Sequence, residues 1–182
     1  MRLIIISGSR NPDGQTAAAC KALLKGAAGA GGEGSIVYLP AGNYERCRQC
    51  ENDGWGICRT EGRCIITDDL ESLADEIRGA DLVVFATPVY FGELSESLRA
   101  FLDRLRRTCI HDAGRVGIGG KKAVGICVAG GGGGGAPNCC VSLERMLATT
   151  GFDVVDLISV RRQNLHSKII TLEETGKMLA GG

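Results

Sequence analysis

Aromatic side chains are scarce in this 182-residue chain, at 4%, and it has only two histidines and four prolines. It carries no excess of charge, with 21 basic residues against 21 acidic ones. That balance lacks the basic footprint of a nucleic-acid-binding protein, and no basic run is long enough to act as an arm. No apolar stretch approaches the ~18 residues of a membrane span. The opening Met1-Arg2-Leu3-Ile4-Ile5-Ile6 runs directly into a Gly/Ser turn, too short for a signal-peptide core. The expectation is a cytoplasmic protein with neither nucleic-acid nor membrane partners. A chain of this length buries roughly 70% of its extended surface on folding, so neither disulfides nor a metal is needed for stability alone.

Two excesses stand against these deficits. Glycine reaches 28 residues, about twice the usual ~7%. There are nine cysteines, an odd number, and four of them fall between positions 47 and 64. In a reducing compartment, clustered thiols suggest metal or redox chemistry before cross-links.

Short Val/Ile/Leu-rich runs at 3–7, 35–39, 82–87, 123–129 and 153–159 alternate with helical patterns. The runs are apolar on both faces, as strands buried in a parallel sheet are. Leu70, Leu73, Ala74 and Ile77 keep helical spacing after a capping-box-like Asp68 and Glu71. Leu98, Phe101, Leu102 and Leu105 repeat it after Ser95, with Arg104, Arg106 and Arg107 at the end favoured by the helix dipole. Further helices are expected over about 16–28, from Pro137, and near 171–180. This alternation predicts one α/β domain over 1–182, with right-handed crossovers, five parallel strands and a Cys-rich insertion at about 43–66.

In such a sheet, ligands sit beyond the carboxyl ends of the strands, where strand order reverses. With order 2-1-3-4-5, the loops leaving strands one, three and four converge there. The first contains Ser7, Gly8, Ser9, Arg10, Gly14, Gln15 and Thr16. Amides at a helix start, with hydroxyls and Arg10, suit a phosphate. The loop lacks both the P-loop lysine and G-x-G-x-x-G, which argues against an NTPase and a dinucleotide fingerprint. The second, Thr87-Pro88-Val89-Tyr90-Phe91-Gly92, offers backbone polar groups and apolar surface to a flat heterocycle. The third is six glycines, Gly130, Gly131, Gly132, Gly133, Gly134 and Gly135, whose bare backbone can lie flat against a ligand. Ordering so much glycine is costly, so a purely structural role is hard to motivate.

The remaining chemistry-bearing residues read more plainly. Cys139 and Cys140, at a helix start, are either a vicinal redox pair or two small core residues. Cys20 and Cys127 fall within core patterns. His111 and His166, in expected loops or edges, suit solvated or hydrogen-bonded roles.

Taken together these motifs resemble the NADPH-dependent FMN reductase superfamily over nearly the whole chain, most specifically from Pro88 to Ala100-Phe101-Leu102-Asp103-Arg104. The resemblance implies a flavodoxin-like three-layer α/β/α sandwich. It also implies an FMN phosphate in the first loop, the isoalloxazine ring in the second, and the glycine tract on its open side. Cys47, Cys50, Cys58 and Cys64 read C-x2-C-x7-C-x5-C before Ile65-Ile66-Thr67-Asp68-Asp69, which resembles the iron–sulfur flavoprotein branch. The gap between the second and third cysteines, holding Trp55, is longer than that branch's motif. The thiols are thus open to three readings: a [4Fe-4S] cluster, zinc (whose pattern wants closer pairs), or no ligand at all.

The expected activity is NAD(P)H oxidation through FMN to a small-molecule or protein acceptor, with hydride chemistry carried by the flavin and no protein acid or base required. The resemblance favours a homodimer or homotetramer. The rivals are a cluster-free flavin, quinone, azo or tailoring reductase, a non-enzymatic FMN electron carrier, and a redox sensor.

Overall fold

A computed structural model of the chain describes residues 1–181. In chain order its elements are β1 (Arg2–Ser7), α1 (Gln15–Gly29), β2 (Glu33–Tyr38), α2 (Ile57–Thr60), α3 (Leu70–Gly79), β3 (Leu82–Tyr90), β4 (Glu93–Leu94), α4 (Glu96–Cys109), α5 (Asp112–Arg115), β5 (Lys122–Ala129), α6 (Ala136–Thr150), β6 (Asp153–Arg161) and α7 (Leu165–Gly181). The five long strands pair in parallel in the order β2-β1-β3-β5-β6. Since the two-residue β4 is only a hairpin partner of β3, this is the expected 2-1-3-4-5.

Alternate residues along each central strand feed two cores, because successive side chains leave a strand on opposite faces. Ile4, Ile6, Val83 and Phe85 pack with the apolar stripes of α3, α4 and α6. Leu3, Ile5, Leu82, Val84 and Ile126 pack with α1 and α7. Leu98, Phe101, Leu102 and Leu105 of α4 are at most 1% exposed, each such burial being worth roughly 1.5–3 kcal/mol. On the other face Gly26 of α1 and Gly176 of α7 let the two helix backbones touch: a Cβ at either would collide with a carbonyl of the other helix. Among the described residues no helix is long and apolar enough to cross a membrane.

Several expectations need correction. The edge strands β2 and β6 are not apolar on both faces; Glu33, Gly34 and Ser35 are exposed. β3 runs through Pro88 to Tyr90, because Pro88 still pairs with Val128 of β5 and the chain then folds back as a hairpin. α7 starts at Leu165, so His166 lies on a helix rather than in a loop. No capping box starts α3: Asp68 accepts from the Leu70 amide at 3.2 Å, and its carboxylate is turned inward. It meets Arg104, which is 1% exposed and is paired with this carboxylate, whereas the sequence suggests only a favourable place near the C-terminal end of the helix dipole. Ser95 does cap α4, its Oγ accepting from the Leu98 amide at 3.4 Å.

Candidate functional site

The loop after β1 is held as a series of tight turns. The Gly8 amide donates to Ala86 O at 2.8 Å, which ties the loop to β3. Ser9 N donates to Ser7 Oγ, Asn11 N to Ser9 Oγ, and Asp13 N to Asn11 Oδ1. α1 then begins with neither a side-chain cap nor an acidic residue in its first turn. Its first amides and positive dipole end thus face outward uncompensated, as an anion site requires.

Thr87, fully buried, fastens the start of the hairpin: its Oγ1 donates to Pro88 O at 2.8 Å and accepts from the Ser95 amide at 2.9 Å. The turn itself places both Phe91 (φ 53°) and Gly92 (φ 80°) in the left-handed region, the conformation of a type I′ hairpin. The glycine tract curls on a Gly133 amide bond to Gly130 O, and Gln163 Nε2 donates to Gly132 O at 2.9 Å.

These three segments wall a cleft of ≈450 Å³ lined by Ser9, Gln15, Thr16, Pro88, Val89, Tyr90, Val128, Ala129 and Gly130 through Gly134. That volume lies within the ~300–1,000 Å³ of small-molecule sites. Ser7, Arg10, Gly14, Thr87, Phe91, Gly92 and Gly135 do not line it; Ser7 and Thr87 are buried beneath it as supports. Val128, Ala129 and Gln163 were missed in the sequence. The first two simply continue a strand, and the third arrives from a segment 31 residues away from its partner.

Two features of the cleft call for a ligand. Gln15 Oε1 is buried with no hydrogen-bond partner, a costly state for an amide oxygen. Gly132 and Gly134 have open space where a Cβ would stand and no left-handed φ, so nothing within the protein demands glycine there.

The Cys loop is pinned where it begins and ends. Arg104 Nη1 donates to Asp68 Oδ2 (2.5 Å) and Glu45 O (2.9 Å), and Nη2 to Asp68 Oδ1 (3.1 Å). The Glu45 amide closes the ring on Asp68 Oδ2 at 2.8 Å. Burial works to raise the Asp68 pKa, but the hydrogen bonds from Arg104 and the amides of Glu45 and Leu70 outweigh it and hold the carboxyl below its ordinary value. Burial likewise works against the Arg104 charge, and its contacts with Asp68 and Cys64 prevail.

Cys47, Cys50, Cys58 and Cys64 all line one small void of ≈20 Å³, together with Arg48, Arg104 and Arg107. Among the described residues no three of His, Cys, Asp or Glu stand close enough to share one metal ion. The donor set suits a larger, thiolate-ligated group of negative charge. Arg104 Nε and Arg107 Nε are buried without hydrogen-bond partners, and both arginines line the void with the thiols. The void is about the size of one water, so a bulkier group would require the loop to be displaced. Trp55 does not cover this void; it stacks on Arg107 (4.9 Å) and meets His111 edge-on (5.1 Å).

The other thiols are core residues. Burial pushes Cys20 up to about 12, partly offset by a hydrogen bond with Ser7. Cys127 is raised by hydrogen bonds with Cys139 and Cys140 and by burial, while its bond to Cys140 lowers the latter against burial. Cys20, Cys109, Cys127, Cys139 and Cys140 are all buried, as small core residues are, and are free thiols.

Residues 1–165 match the family model described as NADPH-dependent FMN reductase. An iron–sulfur flavoprotein of Methanocaldococcus jannaschii is 34% identical over 125 residues, covering 69% of this chain and 62% of that protein. An iron–sulfur flavoprotein of Methanosarcina thermophila is 31% identical over 104 residues, covering 57% of this chain and 52% of that one. The chain therefore spans roughly half to three-fifths of the length of these curated relatives. Among solved structures, an NAD(P)H:quinone oxidoreductase from Methanothermobacter marburgensis superposes with a TM-score of 0.73, covering 98% of this chain and 96% of that one at 18% identity. That likeness establishes the flavodoxin-like fold. A match over nine-tenths of its length, on a sheet whose switch-point loops wall a single cleft, means that the chain belongs to the NADPH-dependent FMN reductase family.

Proposed function

We propose that this protein is an FMN-dependent NAD(P)H oxidoreductase. The observation that carries the reading is the switch-point cleft, with an unpartnered Gln15 Oε1 and two wall glycines, Gly132 and Gly134, that no internal contact requires. The α1 amides, with Ser9, Gln15 and Thr16, hold the phosphate, and exposed Arg10 adds charge at the rim. Ser7 and Gly14 shape that turn. Pro88, Val89 and Tyr90 flank the isoalloxazine ring, with Thr87, Phe91 and Gly92 setting the hairpin that presents them. Gly130 through Gly135 leave the far side open to a second ligand. Bound FMN supplies the hydride-accepting chemistry; the protein's task is to bind, orient and screen it from water.

In the finer reading Cys47, Cys50, Cys58 and Cys64 hold a [4Fe-4S] cluster that passes electrons on singly. The donor set and the two relatives called iron–sulfur flavoproteins support it. The smallness of the void favours the alternative, a cluster-free reductase. The acceptor is a small molecule or a protein. A groove of ≈560 Å³ beside Cys47, carrying Arg46, Arg99, Arg106 and Arg145 against Glu96 and Asp103, supports an anionic one. Tyr90 and Phe91 are exposed at the cleft mouth, 60% and 107%, which favours a homodimer or homotetramer in which a second subunit covers them.

The test is protein purified without air, its visible spectrum recorded, its FMN, iron and acid-labile sulfide assayed, and its NAD(P)H oxidation followed with and without an added acceptor. One FMN per chain and acceptor-dependent oxidation are expected. Colourless protein that refuses added FMN ends the reading, and yellow protein without iron leaves the cluster-free reductase.

A further inference from the structure

We propose that Arg104 is a positioning residue of the four-cysteine cavity: its two Nη groups anchor the loop through Asp68, and its Nε–H donates to the sulfur of Cys64. This inference rests on reading the cavity as an iron–sulfur site.

A guanidinium carries five N–H donors in a fixed fork. Here the fork's far end is spent on the Asp68 carboxylate and Glu45 O. The near end, Nε, has no acceptor, although the Arg104 side chain is 1% exposed and its carboxylate partner 0%. Unpaired buried donors are rare in native proteins and call for an acceptor at the site. Arg104 and Cys64 line the same void. Asp68 lies only four positions beyond Cys64, so the anchor and the sulfur are set by one short stretch of chain. Lysine would supply the charge and reach one oxygen, but not a second donor at a fixed angle.

An N–H···S bond draws charge from a cluster sulfur and eases the uptake of an electron, so it raises the reduction potential. Arg104→Lys tests this in the iron-loaded holoprotein. If it keeps its iron and sulfide while the cluster midpoint moves to more negative potential, the donor role stands; an unmoved midpoint at full iron means that Arg104 contributes only charge and anchoring, and overturns it. Should Arg104→Lys lose iron, wild-type protein labelled with ¹⁵Nε-arginine decides. Hyperfine coupling of a ¹⁵N to the reduced cluster in pulsed EPR that persists in Arg107→Lys supports the bond, and its absence overturns it. Wild-type protein that retains FMN but takes up no iron removes the cluster and this inference with it, leaving the flavin assignment intact.

Discussion

Gly135 stands so close to Gly92 that a Cβ on Gly135 would lie 2.7 Å from the Gly92 Cα. The glycine tract and the β3–β4 hairpin, 43 positions apart, therefore meet backbone to backbone at the cleft. At Gly135 the φ is +82°, so Gly135→Ala suffers both crowding and left-handed strain. It should lose about 2 kcal/mol of stability, read as a lower urea midpoint. Gly132→Ala meets nothing within 4 Å. It should stay within ~0.5 kcal/mol of wild type and yet bind FMN about tenfold more weakly, a loss of ~1.4 kcal/mol. Equal FMN titrations for wild type and Gly132→Ala would show that the tract does not face the flavin.

Gln15→Leu should separate stability from binding. The substitution removes a buried acceptor that has no partner, so the ligand-free protein should be as stable as wild type or up to ~1 kcal/mol more stable. FMN affinity should fall at least tenfold. Calorimetric melting with and without FMN checks both halves, and a variant that melts lower while binding normally would refute the assignment.

Asp68→Asn should cost about 3 kcal/mol at neutral pH, because it leaves Arg104 buried without its counter-charge. Folding holds the Asp68 carboxyl below its ordinary 3.8. The stability gained is therefore fully present above that value and drains away as pH falls through the depressed one. Urea midpoints from pH 7 down to pH 2 should drop more steeply for wild type than for Asp68→Asn; parallel curves would contradict the pairing.

Thiol reactivity should follow burial. Cys50 is exposed and should alkylate first in the native, metal-free protein. Cys20, pushed up to about 12, has only about one thiolate in 10⁴ at pH 8. It and Cys127 should react only on unfolding, as peptide mass spectrometry after timed iodoacetamide exposure would report. Iron loading should protect Cys47, Cys50, Cys58 and Cys64 as a set.

Much of this arrangement was legible because local pattern decides it. The alternation of short apolar runs with helical stripes implies a parallel sheet, and the three convergent loops follow once the flavodoxin-type strand order, which came with the family resemblance, is added. Pro88 misled, since proline usually ends a strand; here its paired register with Val128 keeps it within one. α2 and α5, four residues each, are too short to carry a period. Arg104 is grouped by its charge with Arg106 and Arg107 at the dipole-favoured helix end, yet it stands three residues after buried Phe101 and beside Leu105, on the inward stripe of α4. That position was the available signal. Its partner, 36 residues away, left no trace in spacing, and neither did the reach of Gln163 to the glycine tract.

The family match stops at residue 165, where α7 begins. Yet α7 is the helix on which α1 is seated, at the crossing of Gly26 and Gly176, and α1 aims its first turn at the cleft. α7 thus supports α1 from the end opposite the amides that open onto the cleft. Cutting the chain before α7 would bare Leu23 and Ala27 to water and slacken the hold on α1 at the end opposite the cleft.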